Sequence, residues 1–208
     1  MLKIFNLKKK LNEFTYRKKI LSNKECDFIS NFILNNEENI KSLGPDIYPK
    51  TRENSLTGRY SVFNFLNVPE INNILYPKLK KIFNNLKLNY PLYVQCWANT
   101  YRKGDYIQPH CHSSKRTNIL SGNIFLKGIP FPGTKYFFKE GTTQVKNKIG
   151  EISIFKGNLV HSVDPYMGDD IRITMAMDIH FEIEKYYSNM ECLYEFELNK
   201  KRYYKFEM

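Results

Sequence analysis

The stretches WANTYRKGDYIQPHCH, residues 97–112, and GEISIFKGNLVHSVDPYMGDDIRIT, residues 150–174, hold three of the four histidines of the chain. Strand side chains two apart project from the same face, so His110 and His112 are expected to point to one side. Three imidazoles, with His161 coming from a distant strand, can occupy one face of a metal and leave the other face open for chemistry. We therefore predict a metal site rather than three ordinary surface or core histidines.

The composition predicts a single domain over residues 1–208. Hydrophobic residues make up 42% of the chain, with 15 Phe and 15 Tyr, which is enough for a packed core. No run of about 18 apolar residues exists, so no membrane span is expected. The first residues lack the pattern of a secretory signal, and the four scattered cysteines are typical of reduced thiols. Both features favour a cytoplasmic protein.

The net charge of +11 raises the question of a nucleic-acid partner. Residues 90–181 carry 11 Lys and Arg against 7 Asp and Glu, a net of only +4. Much of the remaining +7 lies in two basic runs: Lys8–Lys19, within a basic N-terminal arm (residues 1–20), and Lys200–Lys205, within a C-terminal extension (residues 184–208). Such charge runs are usually solvated faces, so nucleic acid is not an expected partner.

Two amphipathic helices are predicted before the strands begin. Ser22 and Glu25 match a capping box at a helix start, and apolar residues follow at helical spacing. A second periodic stretch predicts a helix over residues 69–88. The Pro- and Gly-rich segment 44–59 is typical of a loop, and residues 60–66 are predicted to form a short strand.

The second half of the chain changes to short apolar runs separated by Gly and Pro. The predicted strands are Leu92–Tyr101, His110–Ser113, Ser121–Lys127, Lys135–Phe138, Thr142–Lys146, Glu151–Phe155, Val160–Val163 and Ile171–Ile183. Helices followed by about eight short strands predict an α+β, mainly β fold. We expect an antiparallel barrel or jelly roll, with the helices packed outside it.

The last predicted strand, residues 171–183, shows which face of the sheet is buried against the helices. Its odd positions are all apolar, whereas its even positions are small or polar. A strand of a sheet that packs on helices by one face and lines a cavity with the other has this pattern. Arg172 is therefore expected to point into the cavity that holds the metal.

The order of these features resembles the Fe(II)- and 2-oxoglutarate-dependent dioxygenases, in particular their prolyl-hydroxylase-like branch. The resemblance implies a double-stranded β-helix (jelly roll) core, with the N-terminal helices packed on one sheet, and it covers most of residues 20–181. The segments that carry it are ILSNKECDFISNFI (20–33), YRKGDYIQPHCH (101–112), SGNIFLKG (121–128), GTKYFF (133–138) and the closing block 150–174.

The resemblance implies roles for individual residues and a set of cofactors. His110 and His161 become iron ligands, and Arg172 becomes the partner of the distal carboxylate of 2-oxoglutarate. An Arg fork suits a planar carboxylate, which agrees with that role. Tyr101 is similar to a tyrosine near the cosubstrate, and Asn99 shares its strand face. The implied cofactors are Fe(II), 2-oxoglutarate and O2.

Two positions depart from the commoner family pattern. The usual motif is His-x-Asp/Glu, whereas the second position here is His112, which we take as the third ligand. If His112 does not bind, either Asp105 or Asp164 supplies a carboxylate, or the site has only two protein ligands. A site with three histidines has one negative charge fewer at the iron. In addition, Phe125 stands where prolyl hydroxylases often have a tyrosine hydroxyl that touches 2-oxoglutarate.

These features predict a dioxygenase that hydroxylates an unidentified substrate, for example a protein side chain such as proline, and releases succinate and CO2. One alternative is a cupin-like dioxygenase with three histidine ligands that does not use 2-oxoglutarate. Another is a jelly-roll module that binds a partner without catalysis. The substrate is not contained in the motifs, because function belongs to the site rather than to the fold.

Overall fold

The computed structural model describes residues 15–43, 56–57, 63–112, 119–181 and 202–207, in three α-helices, one 3-10 helix and ten strands. The helices are α1 (Asn23–Asn35), α2 (Glu37–Lys41) and α3 (Pro69–Asn85), and the 3-10 helix is Phe65–Asn67. The strands are β1 (Thr15–Lys19), β2 (Leu92–Tyr101), β3 (Ile107–His110), β4 (Ile119–Lys127), β5 (Thr134–Phe138), β6 (Gly141–Gln144), β7 (Glu151–Lys156), β8 (His161–Val163), β9 (Arg172–His180) and β10 (Tyr204–Phe206).

The strands form two sheets in which every pairing is antiparallel. The larger sheet has the order β1-β7-β4-β9-β2-β10, and the smaller one has the order β3-β8-β5-β6. The basic arm thus ends in an edge strand, and the C-terminal extension returns as the opposite edge. The rest of both segments, residues 1–14 and 184–201, lies outside the described residues, as does most of the predicted loop 44–59.

The helices pack on one face of the larger sheet, as the alternation in the last strand predicts. Ile173, Met175, Met177 and Ile179 of β9 are fully buried in a core that also contains apolar residues of α1 and α3. The intervening positions of β9 point to the opposite face, where Arg172, Thr174 and Asp178 are buried without entering that core. The polar face of β9 therefore looks towards the smaller sheet.

The capping box at the start of α1 forms as predicted. The Ser22 hydroxyl accepts a hydrogen bond from the backbone N–H of Glu25, and the Glu25 carboxylate accepts one from the backbone N–H of Ser22. The strand predicted over residues 60–66 is wrong where the structure describes it, because a 3-10 turn begins at Phe65. The Asn64 side chain accepts from the backbone N–H of Leu66, and such local bonds compete with strand pairing.

Strand limits near the predicted site differ from expectation in one place that matters. The segment predicted as His110–Ser113 is instead Ile107–His110, so His112 follows the strand rather than lying within it. The last strand ends at His180 instead of reaching residue 183.

No helix among the described residues is long and apolar enough to cross a membrane.

A buried carboxylate ties α2 to the edge of the larger sheet. Both Glu37 oxygens accept hydrogen bonds from Arg102, at 2.9 and 3.1 Å, and one of them also accepts from the Thr100 hydroxyl at 2.7 Å. Burial acts to raise the pKa of Glu37, but the bonds from Arg102 and Thr100 outweigh it and hold that pKa below its ordinary value of 4.5.

We expect Glu37→Gln to lower the free energy of unfolding by about 2 kcal/mol at pH 7, since it leaves buried donors poorly paired. Because the pKa of Glu37 is depressed in the folded state, its contribution is present above pH 4.5 and is lost as the pH falls through the folded value. Urea unfolding from pH 7 to pH 3 should therefore show a weaker loss of stability in the variant than in the wild type. Glu38→Gln is the matched control, since Glu38 pairs with Lys41 at an exposed position. Equal effects of the two substitutions would contradict this account.

Candidate metal centre

Three histidines meet between the two sheets. His110 ends β3, His161 begins β8, and the two residues are directly paired in the antiparallel ladder. His112 lies two residues beyond β3, where its backbone N–H donates to the carbonyl of Gly157 at 2.8 Å. One potential ligand atom from each ring lies within 4.8 Å of the others, and the Nε2 atoms of His110 and His112 are 3.2 Å apart. The structure thus brings together the three residues predicted to bind a metal.

The rings of His110 and His161 are each oriented by a contact of the Nδ1 atom with a backbone carbonyl. Nδ1 of His110 lies 2.8 Å from the carbonyl oxygen of Gln108, and Nδ1 of His161 lies 2.9 Å from that of Leu159. A carbonyl can only accept, so both Nδ1 atoms are assigned as donors, and the ring lone pair is therefore on Nε2 in both residues. This tautomer is the one that a metal-binding histidine uses when its other nitrogen is hydrogen-bonded.

His112 is oriented differently from the other two rings. Its Nδ1 atom lies 2.8 Å from a carboxylate oxygen of Asp178, a residue of β9 that is fully buried. The Trp97 ring stacks on the imidazole, with centroids 5.8 Å apart, and the His161 ring stacks at 5.1 Å. Ring stacking and the close approach of the Asp178 carboxylate together position this third ring.

The environment keeps His161 neutral. Burial, together with smaller effects of the neighbouring rings of His110 and His112, lowers the pKa of His161 to about 3, against opposing effects of the Leu159 carbonyl and Asp178. A neutral imidazole with a free Nε2 is a ready metal ligand at ordinary pH.

A first-row transition metal fits this donor set. Three imidazoles with oriented Nδ1 atoms suit iron and its neighbours in affinity, whereas magnesium and calcium prefer oxygen ligands. The residues that would hold such an ion are His110, His112 and His161. The carboxylates considered as alternative ligands do not join the cluster: Asp105 caps the turn at Arg102 and Asp164 pairs with Lys135.

A buried guanidinium occupies the same face of β9 as the carboxylate that holds His112. Arg172 is fully buried, and its three side-chain nitrogens have no hydrogen-bond partner among the described residues. The guanidinium lies over the Tyr101 ring at 4.4 Å and 5.8 Å from the centre of the Phe125 ring. Burying an unpaired cation is costly, so this arrangement suits a ligand that brings a negative charge.

Other predicted site residues line the sheet beside Arg172. Tyr101 pairs with Arg172 across β2 and β9, and Asn99 pairs with Thr174, whose hydroxyl accepts from the Asn99 amide at 3.4 Å. Burial raises the pKa of Tyr101, while the charge of Arg172 opposes that rise. Phe125 pairs with Thr174 from the other side, so this position adds an apolar ring and no hydroxyl.

Cys111 and His180 take no part in the cluster. Cys111, between His110 and His112, is exposed, because β3 ends before it and strand alternation does not continue. His180 lies at the far end of β9, against Tyr203.

The contact that sequence reasoning missed is the one between Asp178 and His112. Strand parity places Asp178 on the same face of β9 as Arg172. That placement is the only feature of the sequence that points towards the contact. No spacing rule connects β9 to a residue that follows β3.

The fold is the one shared by prolyl hydroxylases and other non-haem oxygenases that depend on 2-oxoglutarate, and the histidine cluster fits a His-x-His form of metal site. No protein-family model and no curated protein matches the sequence.

Solved structures with this fold differ in the reactions that they are named for. The 2-oxoglutarate complex of a viral collagen prolyl hydroxylase from Paramecium Bursaria Chlorella virus-1 is 16% identical, with a TM-score of 0.56 over 81% of this chain and 97% of that one. A prolyl-4-hydroxylase from Pseudomonas putida is 14% identical, with a TM-score of 0.57 over 88% and 100%. The α-ketoglutarate-dependent epimerase SnoN from nogalamycin biosynthesis is 11% identical, with a TM-score of 0.58 over 85% and 81%.

Proposed function

We propose that this chain is an Fe(II)- and 2-oxoglutarate-dependent dioxygenase, folded as one double-stranded β-helix domain. The observation that carries the proposal is the buried guanidinium of Arg172, which has no hydrogen-bond partner in the described part of the chain and shares a face of β9 with the residue that orients His112. A metal-binding cluster and an unpaired cation inside one fold suit a small acid that chelates a metal at one end and carries a carboxylate at the other.

The three histidines and Arg172 have distinct roles in this proposal. The three histidines would hold Fe(II), and Arg172 would pair with the distal carboxylate of 2-oxoglutarate through two parallel hydrogen bonds. Bound iron supplies the O2 chemistry, in which 2-oxoglutarate, O2 and a substrate C–H group give succinate, CO2 and an alcohol. One oxygen atom enters succinate and the other enters the product, so the atoms balance.

The protein itself contributes position and exclusion of water. Tyr101 and Phe125 flank the guanidinium with apolar ring surface, and both side chains are buried. An ion pair formed in such surroundings is stronger than one in water. Trp97 stacks on the His112 ring and covers one face of it with apolar surface.

The substrate is a separate question from the reaction class. The solved structures of similar fold are named as prolyl hydroxylases, an epimerase and a carbocyclase. We propose hydroxylation of a C–H bond, in a protein side chain such as proline or in a small molecule.

One observation favours a second candidate, a dioxygenase of the cupin type that works without 2-oxoglutarate. Three histidines, rather than two histidines and a carboxylate, are brought together at the centre. The guanidinium of Arg172 counts against this candidate, since it would have no anionic partner.

The test is an anaerobic titration of the Fe(II)-loaded protein with 2-oxoglutarate, followed through the weak visible charge-transfer band of the chelate. We expect a saturable band, and, after admission of O2, formation of succinate. Iron binding without a band would favour the cupin-like enzyme. Failure to bind iron would favour a binding module that lacks catalysis.

A further inference from the structure

Asp178 is a buried carboxylate at the centre of the larger sheet. It lies near the end of β9, with no exposed surface, between Ser121 of β4 and Gln95 of β2 in the strand register. One of its oxygens lies 2.8 Å from Nδ1 of His112 and also accepts a hydrogen bond from the Ser121 hydroxyl at 3.1 Å. Burying a carboxylate costs free energy even when it is paired, so the presence of Asp178 at this position requires an explanation.

His112 is the one histidine of the cluster with a charged partner. The Nδ1 atoms of His110 and His161 face neutral backbone carbonyls, each belonging to the residue two positions earlier in the chain. The partner of His112 instead comes from a different sheet, 66 residues further along the chain. His112 is also the residue that stands where a His-x-Asp motif would place a carboxylate ligand.

We propose that Asp178 supplies, through His112, the negative charge that a His-x-His metal centre lacks. Asp178 is then a positioning residue rather than a ligand. It fixes the Nδ1–H tautomer, turns the Nε2 lone pair towards the metal and makes the imidazole a stronger donor. The inference rests on the proposed function only in requiring that the cluster binds a metal.

The arrangement of β9 supports this assignment. Arg172 and Asp178 are six residues apart on one strand and point to the same face, so a single strand carries the cation for the cosubstrate and the anion for the metal centre. Because β9 lies between β4 and β2, both side chains are held in the most constrained part of the sheet.

The test is the affinity of the metal-free protein for Co(II), measured by calorimetry in wild type, Asp178→Asn and Ser121→Ala. Asp178→Asn keeps the shape and removes the charge, and we expect affinity to fall roughly 10- to 100-fold, as for other partners of ligating histidines. Ser121→Ala removes the other hydrogen bond to the same oxygen and keeps the charge, so its effect should be only a few-fold. Equal affinity of wild type and Asp178→Asn would overturn the inference.

A second background separates charge from general damage to the site. In His112→Asp the carboxylate is itself at the ligand position, and we expect Asp178→Asn to have little further effect there. A loss as large as in the wild-type background would show that Asp178 acts only on the structure. Wild-type protein that binds neither Co(II) nor Fe(II) would instead defeat the proposed function.

A measurement without any variant covers the case in which Asp178→Asn does not fold. In Zn(II)-loaded wild type, nitrogen-15 NMR should show His112 protonated at Nδ1, with this proton further downfield than those of His110 and His161. A charge-assisted hydrogen bond to a carboxylate is stronger than one to a carbonyl, which predicts that order. A His112 ring with no Nδ1 proton would contradict the inference.

Discussion

Arg172→Met is expected to abolish 2-oxoglutarate binding and to leave the fold at least as stable as that of the wild type. The two effects have opposite signs for one reason. The guanidinium is fully buried without a hydrogen-bond partner among the described residues, so the empty protein bears its desolvation cost. The cost is recovered only when a carboxylate binds.

The expected loss in affinity is large, since removing one partner of a buried, hydrogen-bonded charge pair costs about 2–5 kcal/mol, at least roughly 30-fold in binding. Calorimetry of the Fe(II)-loaded protein with 2-oxoglutarate under anaerobic conditions measures it, and thermal unfolding of the metal-free protein measures stability. Methionine has a similar length and no charge, and replacing buried ions by apolar groups is often neutral or stabilising.

Arg102→Met is the matched control for Arg172→Met. Arg102 follows β2 and is paired with the buried carboxylate of Glu37, so its removal should destabilise the fold by roughly 1–3 kcal/mol. Binding of 2-oxoglutarate should be unchanged in this variant. An Arg172→Met protein that binds 2-oxoglutarate with wild-type affinity would remove the main support for the proposed cosubstrate.

The parts of the fold that the sequence predicts are those governed by local periodicity. The alternation along β9 places Arg172 on the polar face and Ile173 in the helix-packed core, and both follow from a side-chain period of two. The bounds of β2 match the predicted strand because Pro91 precedes it and a turn at Lys103 and Gly104 follows it. The helix cap at Ser22 depends on residues three apart and was predictable as well.

Features that depend on where strands end were not predictable in the same way. The His-x-His spacing predicts that His110 and His112 lie on one face of a strand. In the structure β3 ends at His110, and a hydrogen bond from the backbone N–H of His112 to the carbonyl of Gly157 positions His112. The exposure of Cys111 follows from the same early end. The contact with Asp178 requires the register of β9 against β4 and β2, which no local pattern encodes.

His161→Ala is expected to remove high-affinity metal binding, because it deletes the most buried ring of the cluster. This ring is also the one ligand that comes from β8, opposite His110 of β3. Losing a ligand should cost more than the roughly 10- to 100-fold lost when only an outer partner is removed. Calorimetric titration with Co(II) measures the affinity, and thermal unfolding checks that the variant is folded.

His180→Ala is the control for this experiment, since it removes the remaining histidine, which lies outside the cluster at the end of β9. Its Co(II) affinity should equal that of the wild type. His112→Ala then shows whether the third ring is required: a loss comparable to that of His161→Ala would establish three histidine ligands. If His112→Ala kept wild-type affinity while His161→Ala did not, two histidines would hold the metal. In that case Asp178 would have no route by which to influence it, and both the three-ligand centre and the role of Asp178 would be wrong.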